Sequence, residues 1–446
     1  MRTRSLRYRR VRWTPVAVLA ACAAVPPRAR DAPAVDTPAT QAVIEAATAA
    51  PRDAERDYAI WLGGAQVGTA HEVERWSPTG VVLVRTEALR FLRGDVPVAI
   101  AAAIEITADR ALAPSRVTWT ERAHATRHRE AVRDAAGWTV TDGADALPAR
   151  LPAAAIPAEL APLVVRRDGR FAGPVFLPAR SFVVGAGRIE PIAPRRLIAR
   201  MVFDADPAAP AAAGPTAEAT IDLGDDAMPV RVVDGEGVIA TRITAAEAAA
   251  PFAPVDLIAA TAIPLTGAPG APPRLVLEGD LAVPPVPGQA AQVTADGIEL
   301  ALSPRLPGAL PPGPPGPDRT REILWLVARV HRRIAPDLAA QPATLHAAAA
   351  ATTGDCTTFA LAYAALAAER AIPTRVVTGF RVDGDHLVRH RWAVSWTGGA
   401  WIAVDAAFGA VPAGGDLVGL AVHAADDVGL VAGEAALTRV RAAAWK

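Results

Sequence analysis

The stretch Thr353-Gly354-Asp355-Cys356-Thr357-Thr358-Phe359-Ala360 decides how the C-terminal part of this 446-residue chain is read. Asp355 is a helix-capping residue type, and Gly354 lets backbone approach closely. Phe359, Tyr363 and Leu366 fall on one face, so the spacing predicts a helix from Cys356 to Arg370, stopped by Ile372-Pro373. Cys356 then stands at the positive end of the helix macrodipole, a setting that favours thiolate. A buried structural thiol is the commoner fate of a lone cysteine. The residues downstream argue for a nucleophile.

Arg375 to Phe380 reads as a strand. Leu387 to Trp396 and Trp401 to Asp405 flank Thr397-Gly398-Gly399-Ala400 and are expected to pair as a hairpin. With Trp396 opposite Trp401, Trp392 faces Asp405, and His390 lies diagonal to Asp405 on the same face. Such diagonal neighbours are roughly 7–8 Å apart at their backbones, within reach of a ring side chain. Arg391 is expected to point to the other face. Thiol, imidazole and carboxylate in this order suit a nucleophile, its base and the group that orients the base.

Several separate motifs here resemble the transglutaminase-like core: Gly354-Asp355-Cys356, Ala364-Ala365-Leu366, Ile372-Pro373-Thr374-Arg375-Val376-Val377-Thr378-Gly379-Phe380, His390-Arg391-Trp392 and Trp401-Ile402-Ala403-Val404-Asp405. The resemblance covers about residues 318 to 425. It implies a papain-like α+β fold in which a helix-borne cysteine packs on an antiparallel sheet. It also implies that Cys356, His390 and Asp405 match the family's catalytic Cys, His and Asp. The implied chemistry is acyl transfer at an amide of a peptide or protein, with water or an amine as acceptor and no cofactor. The backbone N–H of Cys356 is one donor for an oxyanion hole. The sequence departs from the family pattern at Thr357-Thr358-Phe359, at Arg391, at Ala406-Ala407 and at Gly415-Asp416-Leu417. The competing expectation is an inactive scaffold that keeps the fold and binds envelope peptides or proteins.

The rest of the chain sets the context. Hydrophobic residues make up 51% and charged residues 21%, enough to bury substantial cores. Forty-six basic and 46 acidic residues cancel, so no overall field draws the chain to nucleic acid. Arg2, Arg4, Arg7, Arg9, Arg10 and Arg12 precede the apolar run Trp13 to Ala21, and Leu19-Ala20-Ala21-Cys22 resembles a bacterial lipobox. Residues 1–22 are therefore expected to be a lipoprotein signal peptide, with Cys22 lipidated and the protein exported and anchored to a bacterial membrane. Residues 23–53 read as an Ala/Pro-rich tether.

Residues 54–250 are predicted to be mostly antiparallel β, and 251–306 a second small β module. The Pro/Gly-rich run 307–317 is expected to be a linker, 318–430 the catalytic domain and 431–446 a tail. Trp392 is a candidate for the wall of a substrate cleft. His386 and His390 are four apart but fall on a strand, so no metal site is expected. Asp383-Gly384-Asp385 reads as a hairpin turn rather than a calcium loop, and Asp426-Asp427 as surface. His124 and His128, among arginines, read as a solvated charged surface with contact to anionic headgroups as the functional alternative.

Overall fold

The computed structural model describes residues 52–446 except 124–125, 136, 144, 148–150, 204–215, 236, 271–272 and 341–344. Cys22, the signal segment, nearly all of the tether and His124 lie outside the described residues.

Alternation of apolar and polar side chains builds the first body. In Val96–Asp109, Val98, Ile100, Ile104 and Ile106 are buried while Ala99, Ala101 and Glu105 face out, the period-two pattern of a half-buried strand. Among the described residues, fifteen strands between Ala54 and Ile243 form one sheet. The chain steps outward from Ala54–Leu62 to Asp145–Leu147 through antiparallel neighbours. It then re-enters at the opposite edge, Ile156–Pro157, and works back to Val238–Ile243, which pairs with the first strand. The two wings share one core. Leu83, Ile106 and Trp119 from the outgoing wing pack with Phe176, Met201 and Ile221 from the returning one, and helix Ala161–Asp168 adds Leu163 and Val165.

The second body is α+β. Its sheet runs Gln289–Thr294, Gly297–Leu302, Arg274–Gly279, Val440–Trp445, Ile263–Thr266, His386–Trp396, Thr374–Asp383, Leu417–His423, and Trp401–Val404 also pairs with His386–Trp396. Helix Cys356–Glu369 buries nearly all of its length. Its Phe359, Tyr363 and Leu366, the stripe that the sequence spacing predicts, pack on Ile323, Leu326, Val327 and Val330 of helix Thr320–Arg333.

Two expected boundaries are corrected by this sheet. The strands of 263–302 do not form a module of their own; they continue the sheet that carries His390. Leu275, Leu277 and Leu300 find their apolar partners in Phe380, Leu387 and Val418, and burying each such side chain is worth about 1.5–3 kcal/mol. Residues 431–446 are not a tail either. They finish helix Asp427–Leu437 and then insert Val440–Trp445 between Arg274–Gly279 and Ile263–Thr266.

The proline-rich run also differs from a loose linker. Trp396 Nε1 donates to Pro314 O and Trp401 Nε1 to Pro311 O, both at 2.8 Å. A Cβ at Gly313 would stand 2.7 Å from the Trp396 ring, so glycine is required where the run crosses that face. No helix among the described residues is long and apolar enough to cross a membrane.

Candidate active site

Asp355 caps the Cys356 helix in a capping box. Its Oδ1 accepts from Thr358 N at 3.1 Å, and Thr358 Oγ1 accepts from Asp355 N at 3.3 Å. A Cβ on Gly354 would lie 2.2 Å from Thr358 Oγ1, so this approach is open only to glycine. The other carboxylate oxygen, Oδ2, accepts from Arg93 Nη2 at 3.0 Å. Arg93 ends strand Gly80–Arg93 of the first body, is fully buried, and also donates to Leu338 O. The first body therefore grips the cap of the helix on which the thiol sits.

The strand His386–Trp396 supplies the histidine and a place for the helix tip. One side of it pairs throughout with Thr374–Asp383. The other side is shared: Leu387 faces Ile263 at one end, and Ala393 to Trp396 face Val404 to Trp401 at the other. Between them, Val388 to Trp392 meets no described strand on that side, and the tip of the Cys356 helix docks there. The amide N of Arg391 donates to Cys356 Sγ at 3.2 Å. That amide belongs to the His390–Arg391 peptide, which puts the sulfur within about 6 Å of the His390 Cα.

His390 and Asp405 are both buried, and His390 Nε2 is 2.7 Å from Asp405 Oδ2. Trp396 does oppose Trp401, the register from which their proximity follows. Asp405 is held in turn, because its Oδ1 accepts from Ala407 N at 3.1 Å and its backbone exchanges hydrogen bonds with Ala410. With Nε2 committed to Asp405, Nδ1 is the ring nitrogen left over.

Trp392 is not a cleft wall. It is 1% exposed and lies under the His390 ring, stacked at 5.9 Å between centroids and 18° between planes. Residues two apart on a strand share a face, so the indole that was expected to meet substrate instead sets the tilt of the imidazole. The exposed aromatic at the site is Phe408, 42% exposed, whose edge meets the His390 ring at 5.6 Å. Nothing in the family-like motifs marks Phe408; its position three residues past Asp405 is the only available signal.

Arg391 turns away from His390, as alternation requires, into a buried network. Its Nη1 donates to Thr357 Oγ1 at 2.8 Å, its Nε to Thr378 Oγ1 at 3.1 Å and its Nη2 to Glu434 Oε1. Two departures from the family pattern, Thr357 and Arg391, are thus partners of each other. Glu434→Gln keeps an acceptor but removes the charge opposite a buried guanidinium. It is expected to destabilise the protein by about 2 kcal/mol, read as a lower denaturant midpoint at unchanged m-value.

The thiol departs from expectation. Cys356 is 3% exposed, enclosed by Ile258, Val388 and Ala407. Burial pushes its pKa well up, the Asp355 carboxylate adds to this, and the Arg391 guanidinium and amide only partly oppose it. A helix terminus is worth about 0.3–1 kcal/mol to a charge beside it, too little against the desolvation of a buried anion. Burial therefore favours the neutral thiol in this closed arrangement.

Residues 318–406 match the family model of the Transglutaminase-like superfamily. This part of the chain belongs to that superfamily. The transglutaminase-like segment begins just before helix Thr320–Arg333 and ends one residue past Asp405, so it contains Cys356, His390 and Asp405. No curated protein matches the chain. Among solved structures, a β-barrel-like protein of a domain of unknown function from Brucella abortus is similar at 9% identity and a TM-score of 0.34, over 44% of this chain and 98% of that one. A protein of another family of unknown function, from Pseudomonas aeruginosa, is similar at 11% identity and a TM-score of 0.25, over 36% and 87%.

The other sequence candidates have ordinary settings. His386 turns to its neighbour Asp385 at 2.7 Å, and no group of three metal-ligating side chains occurs among the described residues. Asp383-Gly384-Asp385 is a hairpin turn with Gly384 at φ +64°. His128 bonds Thr120 at 2.9 Å on an exposed strand. Asp426 is more than surface: it caps helix Asp427–Leu437 through Gly429 N at 2.7 Å.

Proposed function

We propose that the transglutaminase-like domain is a thiol enzyme with a papain-like site, acting on peptide or protein amides. Cys356 is the nucleophile, His390 its acid–base partner and Asp405 the group that orients the ring. The supporting observation is that Sγ lies on the amide next to His390 while Asp405 holds that ring from behind.

In this reading His390 Nδ1 takes the thiol proton as sulfur attacks the carbonyl carbon. The carbonyl π electrons move to oxygen, and the first-turn amide of Cys356, outside the helix's own ladder, faces the developing charge. Collapse expels the amine, which leaves with the proton held by His390, and a thioester remains. Water or a second amine then releases the acyl group through the same steps. We further place the protein outside the cytoplasm, tethered to a bacterial membrane through a lipid on Cys22, which rests on the lipobox-like sequence.

One observation favours the rival reading of an inactive scaffold: the thiol is covered, and that burial pushes its pKa up. Ile258, from helix Leu257–Thr261 outside the family match, shares a buried apolar cluster with Cys356 and Val388. In an enzyme this cover must open. Removing most of a buried isoleucine side chain takes away about 2–5 kcal/mol of packing. Even about 1.4 kcal/mol of that on the closed state raises the open population roughly tenfold. Ile258→Ala is therefore expected to speed alkylation of Cys356 by iodoacetamide at neutral pH by about tenfold or more. His390→Ala in that background is expected to slow it again. Labelling that is slow and equal in all three proteins selects the scaffold.

The reading itself is tested by an activity screen with envelope peptides, with and without an added amine, read by mass spectrometry. Product that forms with the native protein and not with Cys356→Ala supports it. Product that is equal in both overturns it.

A further inference from the structure

Inside the first body, four guanidiniums and four carboxylates form a band, with Arg56, Glu72, Glu74 and Arg85 buried and the others half-buried. Arg56 bonds Glu72, Glu74 and Asp226; Arg85 bonds Glu87 at 2.9 Å and approaches Glu72 at 3.5 Å; Arg166 reaches Glu74; Arg242 reaches Asp226 at 3.0 Å. Within this set the charges balance.

Beside the band lies a cavity of about 150 Å³. Its walls are apolar, with Val175, Ile189, Met201 and Ile221 of the returning wing among them. Arg85 and Glu159 also line it. Arg85 Nη2 and Glu159 Oε2 are shielded from solvent and have no hydrogen-bond partner. Arg85 as a whole is only 9% exposed. Leaving such groups unsatisfied costs about 1–3 kcal/mol each, so two of them at one cavity call for a third party. Burial pushes the Glu159 carboxyl up to about 7, so at and below neutral pH it carries a proton that it can donate.

We propose that this cavity binds a fatty acid of short to medium chain length, its tail among the apolar walls and its carboxylate accepting from Arg85 Nη2 and from the Glu159 carboxyl. An apolar cavity of this volume holds a group about the size of benzene, which sets the buried part of the tail at roughly six carbons. A cationic head would stand against the spare N–H of Arg85 in a band whose charges already cancel. A purely apolar guest would leave both polar atoms unsatisfied. The site is separate from Cys356, and the proposal does not depend on acyl-transfer chemistry.

The test is calorimetric titration of the full chain with octanoate, with octylamine and acetate as comparators. Octanoate is expected to bind saturably at one site, acetate to show no saturable binding, and octylamine to bind at least roughly tenfold more weakly. Ala219→Phe fills the cavity from a buried wall position, and Arg85→Met removes the donor. Each is expected to weaken octanoate binding at least about tenfold, with circular dichroism confirming the fold. Should Arg85→Met fail to fold, Ala219→Phe decides alone. Absence of saturable octanoate binding up to about 1 mM, unchanged binding in Ala219→Phe, or octylamine binding as tightly as octanoate each overturns the proposal.

Discussion

Cys356→Ala is expected to reduce amide turnover by about 10⁴-fold or more, and Asp405→Ala by about 10³–10⁴-fold. The two losses have different origins. Alanine at 356 removes the sulfur that forms the thioester in the proposed reaction. Alanine at 405 leaves the sulfur in place but frees the ring that Asp405 now holds at 2.7 Å, so His390 meets the thiol in the wrong tautomer or orientation. The double variant is expected to be no worse than Cys356→Ala, because the residues act as one unit; additive losses would separate Asp405 from the chemistry.

Cys356→Ala also carries a pH signature. The folded-state pKa of the thiol is raised above its unfolded value. The resulting stabilisation is complete below the unfolded thiol's pKa of about 8.5 and is lost as pH rises beyond it. Measured from pH 7 to 10, the native protein should lose stability relative to Cys356→Ala. Parallel curves would show that the thiol is not buried as described.

Arg93→Met is the second large effect, and it lies far from the family-like motifs. Methionine keeps much of the packing but removes the only salt-bridge partner described for Asp355, and both side chains are essentially sealed from water. Breaking a buried pair from one side costs about 3–5 kcal/mol, a drop in Tm of roughly 5 °C for a protein in which the two bodies unfold together. Since Asp355 also caps the Cys356 helix, turnover at a temperature where the variant is folded should fall in kcat more than it rises in KM. A stability loss with unchanged kcat would confine Arg93 to holding the bodies together.

Local chemistry explains how much of this was legible in the sequence. The cap at Asp355, the helix stripe through Phe359 and Tyr363, and the hairpin that sets His390 across from Asp405 all depend on residues close in the chain, where period and turn signals act. Arg93, Ile258 and Glu434 meet the site from positions that no local pattern connects to it. The same limit separated 263–302 from its sheet: alternation shows that Leu275 and Leu277 have an inner face but not whose core that face enters. The burial that pushes the thiol pKa up is not readable in the sequence, because the helix terminus is visible there and the cover is not.

The interleaving of the second sheet has a practical consequence for dissecting the protein. A recombinant fragment started at the proline run, where composition suggests a natural cut, would lack Ile263–Thr266, Arg274–Gly279, Gln289–Thr294 and Gly297–Leu302. It would expose both flanks of Val440–Trp445 and the apolar surface of Phe380, Leu387 and Val418, an invitation to aggregate. Cloning from the stretch just before Ile263 keeps the sheet whole, but discards Arg93. Catalytic assays on such an excised piece would report on a helix whose cap has lost its counter-charge.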